Sequence, residues 1–147
     1  MKQERSGLLM TALAGLMMVS MGCKTPAVGL DGDALKPCPK SPNCVSSMAE
    51  DAKHYIAPFS HAGERDQARE RLIAILENTK RARIVTQTDD YLHAEFTSLV
   101  FRFTDDVEFY FDEKEPLIHV RSASRVGYSD LGANRKRVEA LRQRFEK

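Results

Sequence analysis

The side chains best equipped for chemistry gather in one stretch, Ile118 to Val138 (IHVRSASRVGYSDLGANRKRV). Arg121, Ser122, Ser124, Arg125, Tyr128, Asp130, Asn134 and Arg135 all fall within it. Guanidinium groups form forked, charge-assisted hydrogen bonds to carboxylates and phosphates, and a packing segment has no use for so many of them. Upstream, Asp106 and Glu108 stand two apart in an alternating run, so both project from one face of a strand. Two chemistries follow. In the first, Arg121 and Arg125 at a strand end and Arg135 on the first turns of a helix converge with the free N–H groups of that helix start. Tyr128 adds an aromatic surface, Ser122 and Ser124 add hydroxyls, and an acidic small molecule, a lipid headgroup or a partner's carboxylate docks there. In the second, Asp105, Asp106, Glu108 or Asp130 pairs with these arginines, and the cluster locks strand, loop and helix together. Asn134 reads as a buried hydrogen-bonding residue that holds the loop.

The alternative is an enzyme, a small envelope hydrolase using the Asp/Glu/Arg/Ser cluster. A nucleophilic serine needs a base within hydrogen-bond reach. His93 and His119 are the histidines able to approach Ser124 through a sheet, but His119 alternates with Ile118 and Val120 and so lies opposite the apolar face. No Gly-rich phosphate loop, H-E-x-x-H pair or nucleophile elbow is present. The sequence therefore argues for a non-catalytic module, with no metal site and no cofactor.

These residues need elements to position them. From about Glu64 to Thr79, Ala68, Leu72, Ile75, Leu76 and Thr79 recur on one helical face. Ala82–Gln87 reads as a strand and Thr88–Asp90 as a turn. In the next strand Leu92, Ala94 and Phe96 share one side with Tyr91, His93 and Glu95 opposite. After Thr97–Ser98 the parity flips and Leu99, Phe101 and Phe103 take the apolar register, which requires a bulge, bend or short turn near Ser98. Val107, Phe109 and Phe111 alternate with Glu108, Tyr110 and Asp112, and Ile118 with Val120 forms the apolar face of a last strand. A closing helix is predicted to begin near Asp130 or Leu131, with Ser129 or Asp130 as cap and Leu131, Val138, Leu141 and Phe145 inward. The expected fold is a small α+β domain: helix, about four mostly antiparallel strands, helix, with the helices on one side of the sheet.

The chain's beginning reads as an address. Lys2 and Arg5 precede an uncharged apolar run, Gly7 to Met21, of signal-peptide length. It ends at Gly22–Cys23, which resembles the lipobox of bacterial lipoproteins, although Ser20 and Met21 depart from the usual residues. The resemblance implies a signal peptide over residues 1–22 and an acylated Cys23 as mature N-terminus. It also implies a domain facing the periplasm on a lipid anchor. Lys24 after the cysteine, in place of aspartate, implies the outer rather than the inner membrane. Residues 23–36 are expected to be a flexible tether and 37–147 the domain. Losing the leader removes two bases and one acid from the 22 and 21 of the whole chain, which leaves a balanced charge. Nucleic acid is excluded as a partner, and membrane attachment is expected to rest on acyl chains.

Charge is unevenly placed all the same. Asp105–Glu115 holds six acids and one base, while Arg121–Lys147 holds eight bases and three acids, so the two segments are expected to face each other or water. Cys38 and Cys44 bracket the turn-forming PKSPN. In an exported protein they read as a disulfide, since C-x-x-C spacing is absent and His54 and His61 stand too isolated to complete a zinc site.

CPKSPNCVSS, YLHAEFTS, FRFTDDVEFYFD and IHVRSASRVGYSDLGANRKRVEAL, in this order, resemble the bacterial and plastid family labelled domain of unknown function 1499. The resemblance spans Lys36 to Arg142 and includes the paired cysteines, the DDVEF strand and the arginine-rich segment. It implies a shared fold and a shared site location, and many family members look like lipoproteins or membrane-attached proteins. The combined expectation is a membrane-anchored envelope lipoprotein. Its role is that of a binding or adaptor module, with an envelope protein or a small anionic ligand as partner.

Overall fold

The structure, a computed structural model, describes residues 27–147. The expected signal peptide, the expected lipidation site at Cys23 and residues 24–26 lie outside the described residues. Four strands form an antiparallel meander: β5 (Ala82–Gln87), β6 (Tyr91–Thr97), β7 (Thr104–Phe111) and β8 (Leu117–Ser124). Their alternation has one cause, an apolar face to bury. Leu92, Ala94, Phe96, Val107, Phe109, Phe111, Ile118 and Val120 all enter a single core. Helix α1 (Arg65–Glu77) covers that face with Ala68, Leu72, Ile75 and Leu76, and α2 (Ala133–Phe145) with Val138, Leu141 and Phe145. The α+β class and the one-sided helices agree with the sequence pattern.

The strand count exceeds the four expected. Beside the outer edge of β8 lie β3 (Cys44–Ser46), along Arg121–Ala123, and β4 (Phe59–Ser60), along Leu117–Ile118, so six strands form the main sheet. A separate hairpin joins β1 (Leu30–Asp31) to β2 (Ala34–Leu35). Strands of two or three residues are too short to display a period, which is why the pattern hides them.

Three further expectations change. The part of the Lys24–Lys36 segment that the structure describes is no loose tether from Gly29 onward. Leu30 and Leu35 pack with Tyr91, Tyr110 and Met48 on the sheet face opposite the helices, and the Cys38–Cys44 disulfide ties the end of this cover to β3. The parity change near Ser98 is a short turn, one of the forms expected, but its apolar residues do not turn inward. Ser98–Phe103 closes the β6–β7 hairpin, and Leu99 and Phe101 are 71% and 74% exposed instead of in the apolar register. The closing helix starts later than predicted, at Ala133. Leu131 and Gly132 both adopt positive φ, a tight left-handed turn that suits glycine, and Leu131 is 88% exposed rather than inward. Asp130 still serves the helix start, for its carboxylate accepts the N–H groups of Gly132 and Asn134.

The disulfide closes a short loop, so its loss is expected to lower stability by about 2 kcal/mol through the entropy of the open chain. Urea unfolding of the oxidised chain against Cys38→Ala/Cys44→Ala measures this. Identical midpoints would contradict a stabilising role.

Candidate functional site

β-Strand parity divides the arginine-rich segment between the two faces of the sheet. On the face away from the helices, Glu108 on β7 lies opposite Arg121 on β8 and His93 on β6. Glu108 is 0% and Arg121 1% exposed, and Arg121 Nη1 donates to Glu108 Oε2 at 2.6 Å. The other carboxylate oxygen accepts the Tyr91 hydroxyl at 2.7 Å and the Gly29 backbone N–H at 2.6 Å. Burial, then the Glu108 charge, pushes the Tyr91 phenol well above its usual range, so it stays a donor. Arg121 Nε is buried without a protein partner among the described residues.

One residue pair nearer the hairpin turn, Asp106 accepts from three nitrogens. Arg125 Nε reaches Oδ2 at 2.9 Å, and Arg125 Nη2 and His93 Nε2 both meet Oδ1 at 2.7 Å. Arg125 Nη2 also donates to Glu95 Oε1 at 2.5 Å, and Arg83 holds the other oxygen of Glu95. Burial raises the Asp106 pKa, but hydrogen bonds and charge from Arg125 and His93 prevail and hold it down to about 2. The same contact with Asp106 raises the Arg125 guanidinium above its usual value.

On the helix face a second polar group locks α2 to β8. The Ser122 hydroxyl donates to Asn134 Oδ1 at 2.6 Å, and Asn134 Nδ2 donates to Ser124 Oγ, to the Asn43 carbonyl and to Asp130 Oδ2. Arg137 closes the group by donating to Ser122, Asn134 and Asp105 while its guanidinium lies over the Phe96 ring. Burial works against ionisation of Asp130, yet the Asn134 and Gly132 N–H groups keep its carboxyl below the usual range.

The predicted site residues therefore do not converge. Asp106, Glu108, Arg121 and Arg125 sit on one face, and Ser122, Ser124, Asp130 and Asn134 on the other. Arg135 lies apart, donating to the Lys53 and Tyr55 carbonyls, and Tyr128 stands in solvent. The helix start expected to attract an anion is already served by Asp130. His93 bonds Asp106, while Ser124 points through to the opposite side, so no serine–histidine arrangement forms between them. Among the described residues no group of three His, Cys, Asp or Glu could hold a metal ion. A cleft of about 510 Å³ lined by Ser60, His61, Gln67, Arg71 and Phe145 lies far from this cluster in sequence. The His61 side chain has no hydrogen-bond partner there among the described residues.

The acidic and basic segments do meet, as their charges suggested: Asp105 with Arg137, Asp106 with Arg125, Glu108 with Arg121. Sequence reasoning missed Arg137, Glu95, Tyr91 and Asn43 as members of these networks. For Glu95 and Tyr91 the missing signal was cross-strand register, and for Arg137 and Asn43 it was the docking of α2 and of the disulfide loop against β8.

What remains unpaired is apolar. Leu99, Val100, Phe101 and Phe103 are exposed at the β6–β7 turn, with Phe101 and Phe103 stacked at 5.6 Å. The loop after β8 leaves beside them, since the Arg125 N–H donates to the Thr104 carbonyl, and it exposes Val126, Tyr128 and Leu131. Two loops thus bring the exposed large apolar side chains of this chain mainly to one end of the sheet. Among the described residues no helix is long and apolar enough to cross a membrane.

A family model described as protein of unknown function (DUF1499) matches residues 34–145, from the first residue of β2 to the last of α2, and the chain belongs to that family. Searches of curated proteins and of solved structures found no match.

Removing the Arg125 guanidinium leaves the buried Asp106 carboxylate with the His93 ring as its one remaining side-chain partner among the described residues, so Arg125→Ala is expected to lose about 3–5 kcal/mol in urea unfolding. An unchanged midpoint would refute this scaffolding role. Acid should act on the same contact. The folded pKa of Asp106 lies below the unfolded value of about 3.9, so its contribution is present above about pH 4 and is lost as pH falls toward 2. Asp106→Asn cannot titrate and should flatten that part of the stability–pH profile.

Proposed function

We propose that this member of the DUF1499 family is a lipid-anchored, non-catalytic docking module of the cell envelope. Its contact surface in this reading is the apolar tip, not the arginine cluster. One observation carries the reading: the arginines at the centre of the signature spend their hydrogen bonds on internal partners, while exposed Leu99, Val100, Phe101, Phe103, Val126, Tyr128 and Leu131 crowd one end. A monomeric domain of this size rarely leaves so many neighbouring large apolar groups in water, and such patches mark places where another surface is met. The leader, the lipobox-like Gly22–Cys23 and the Lys24 that follows support attachment through acyl chains on the periplasmic side of the outer membrane. An envelope protein as partner fits the same reading, whereas a small anionic ligand would need arginines that are already paired internally.

The test is accessibility in place. With Cys23 acylated and Cys38 bonded to Cys44, a cysteine introduced by Phe101→Cys is the sole free thiol. In osmotically opened cells it is expected to react with a bulky maleimide at least tenfold more slowly than after detergent extraction. Glu70→Cys, on the exposed side of α1, should react equally in both. Equal rates at Phe101 would remove the docking surface from the proposal.

A further inference from the structure

We infer that the tip formed by the β6–β7 turn and the loop after β8 seats in the interface of a bilayer carrying anionic headgroups. The inference deepens the anchored-module reading and rests on it. Three observations point to lipid.

The first is the gradation of chemistry along the tip. Leu99, Val100 and Phe101 occupy the turn, whereas Tyr128, with its apolar ring and polar hydroxyl, belongs to the neighbouring loop. Aliphatic and phenyl groups with tyrosine and arginine beside them match the change from acyl chain to headgroup.

The second is charge. Arg102 lies within the turn, and Lys80 and Arg81 lie at its root, where the Arg81 carbonyl accepts the Thr97 N–H. None of these three pairs with a carboxylate among the described residues. The acids on the strands and loop at this end, Glu95, Asp105, Asp106 and Asp130, are all engaged internally. The chain's near-zero total charge thus conceals a basic, apolar end, complementary to an anionic surface.

The third is the direction of the chain. Leu30 packs against the Tyr91–Tyr110 cluster, and Gly29 lies at Glu108, so stepping back toward the N-terminus moves along β7 toward the tip. From Ala27, the first described residue, the four peptide links to Cys23 span at most about 14 Å. An acyl anchor on Cys23 therefore holds this end of the domain close to the membrane it enters.

The chain contains no tryptophan, so Phe101→Trp supplies a single indole in the tip. Full chain purified from membranes of the producing cells is reconstituted into phosphatidylcholine–phosphatidylglycerol vesicles. Its emission is expected to shift to shorter wavelength and to lose intensity when the acyl chains carry bromine. Glu70→Trp should do neither. Lys80→Glu/Arg81→Glu/Arg102→Glu in the Phe101→Trp background should lose the quenching while keeping the thermal unfolding midpoint. Water-like emission from vesicle-bound Phe101→Trp would overturn the inference and leave the anchored module standing. A shift without bromine quenching would also overturn it, by showing that protein covers the tip. A chain that fails to float with vesicles at all would overturn the anchor reading itself.

Discussion

The domain depends on one buried carboxylate. Glu108 sits mid-strand with no exposure, and its two oxygens gather donors from three other segments: Arg121 on β8, Tyr91 on β6 and the Gly29 amide of the N-terminal hairpin. Stripping water from an ion pair is costly, and the cost is offset only when every remaining lone pair finds a donor. That condition is geometric. Strand parity places Val107 and Phe109 in the apolar core on either side of Glu108. A slip of one residue in β7 would carry the charge into that core and an aromatic ring out of it, so the pair fixes register as well as energy. It also explains why the N-terminal segment folds down on the sheet. Without Gly29, and without Leu35 on the tyrosines, Glu108 would lack a donor and the face would lose its cover.

The two faces of the sheet solve one problem by different means. The helix side buries hydrocarbon and admits polar groups at its edge, where Asn134 and Arg137 bind Ser122, Ser124 and Asp105 to fix the entry of α2. The other side is covered by too little chain to be apolar throughout, so a row of charges is laid across β6, β7 and β8 and neutralised pair by pair. The basic helix that looked like an anion trap proves to be an adhesive. Arg142 lies over the Phe59 ring and donates to the Ala57 and Pro58 carbonyls, and Arg135 holds the Lys53 and Tyr55 carbonyls. Arginine suits this use, because its flat guanidinium stacks on rings while its edge still donates.

Much of this was legible in the residues. β5 to β8 and α1 follow from period-two and period-3.6 patterns because each has a single face to bury, and PKSPN between two cysteines marked its own bridge. The separation of Arg121 from Ser122 and Ser124 lay in the same parity, since Ile118 and Val120 fix which side is inward, yet the polar residues were grouped together. The grouping of all eight polar residues into one site came from proximity in sequence, which a strand contradicts at every step. β1 to β4 could not be read, because two or three residues define no period. Leu99, Phe101, Phe103 and Leu131 misled for a different reason. Apolar composition is evidence of burial only if something is there to cover the residue, and a turn closing a hairpin and a left-handed loop project beyond the core that the helices cover.

The edges of the main sheet have a consequence of their own. Molecules held on a membrane move in two dimensions and meet far more often than in free solution, and a bare strand edge would pair with the next copy. One edge here is closed, because the short β3 and β4 lie along β8 and Ser46 of β3 is bonded in turn by His54 and Ile56. The other is β5, where the register shifts between Ile84 and Thr86 and a charged Arg83 stands beside the break. A kinked, charged border is a poor template for strand addition. Under the proposed lipid anchoring, the irregularity in β5 would act as a guard against sheet-to-sheet growth between copies crowded on one surface.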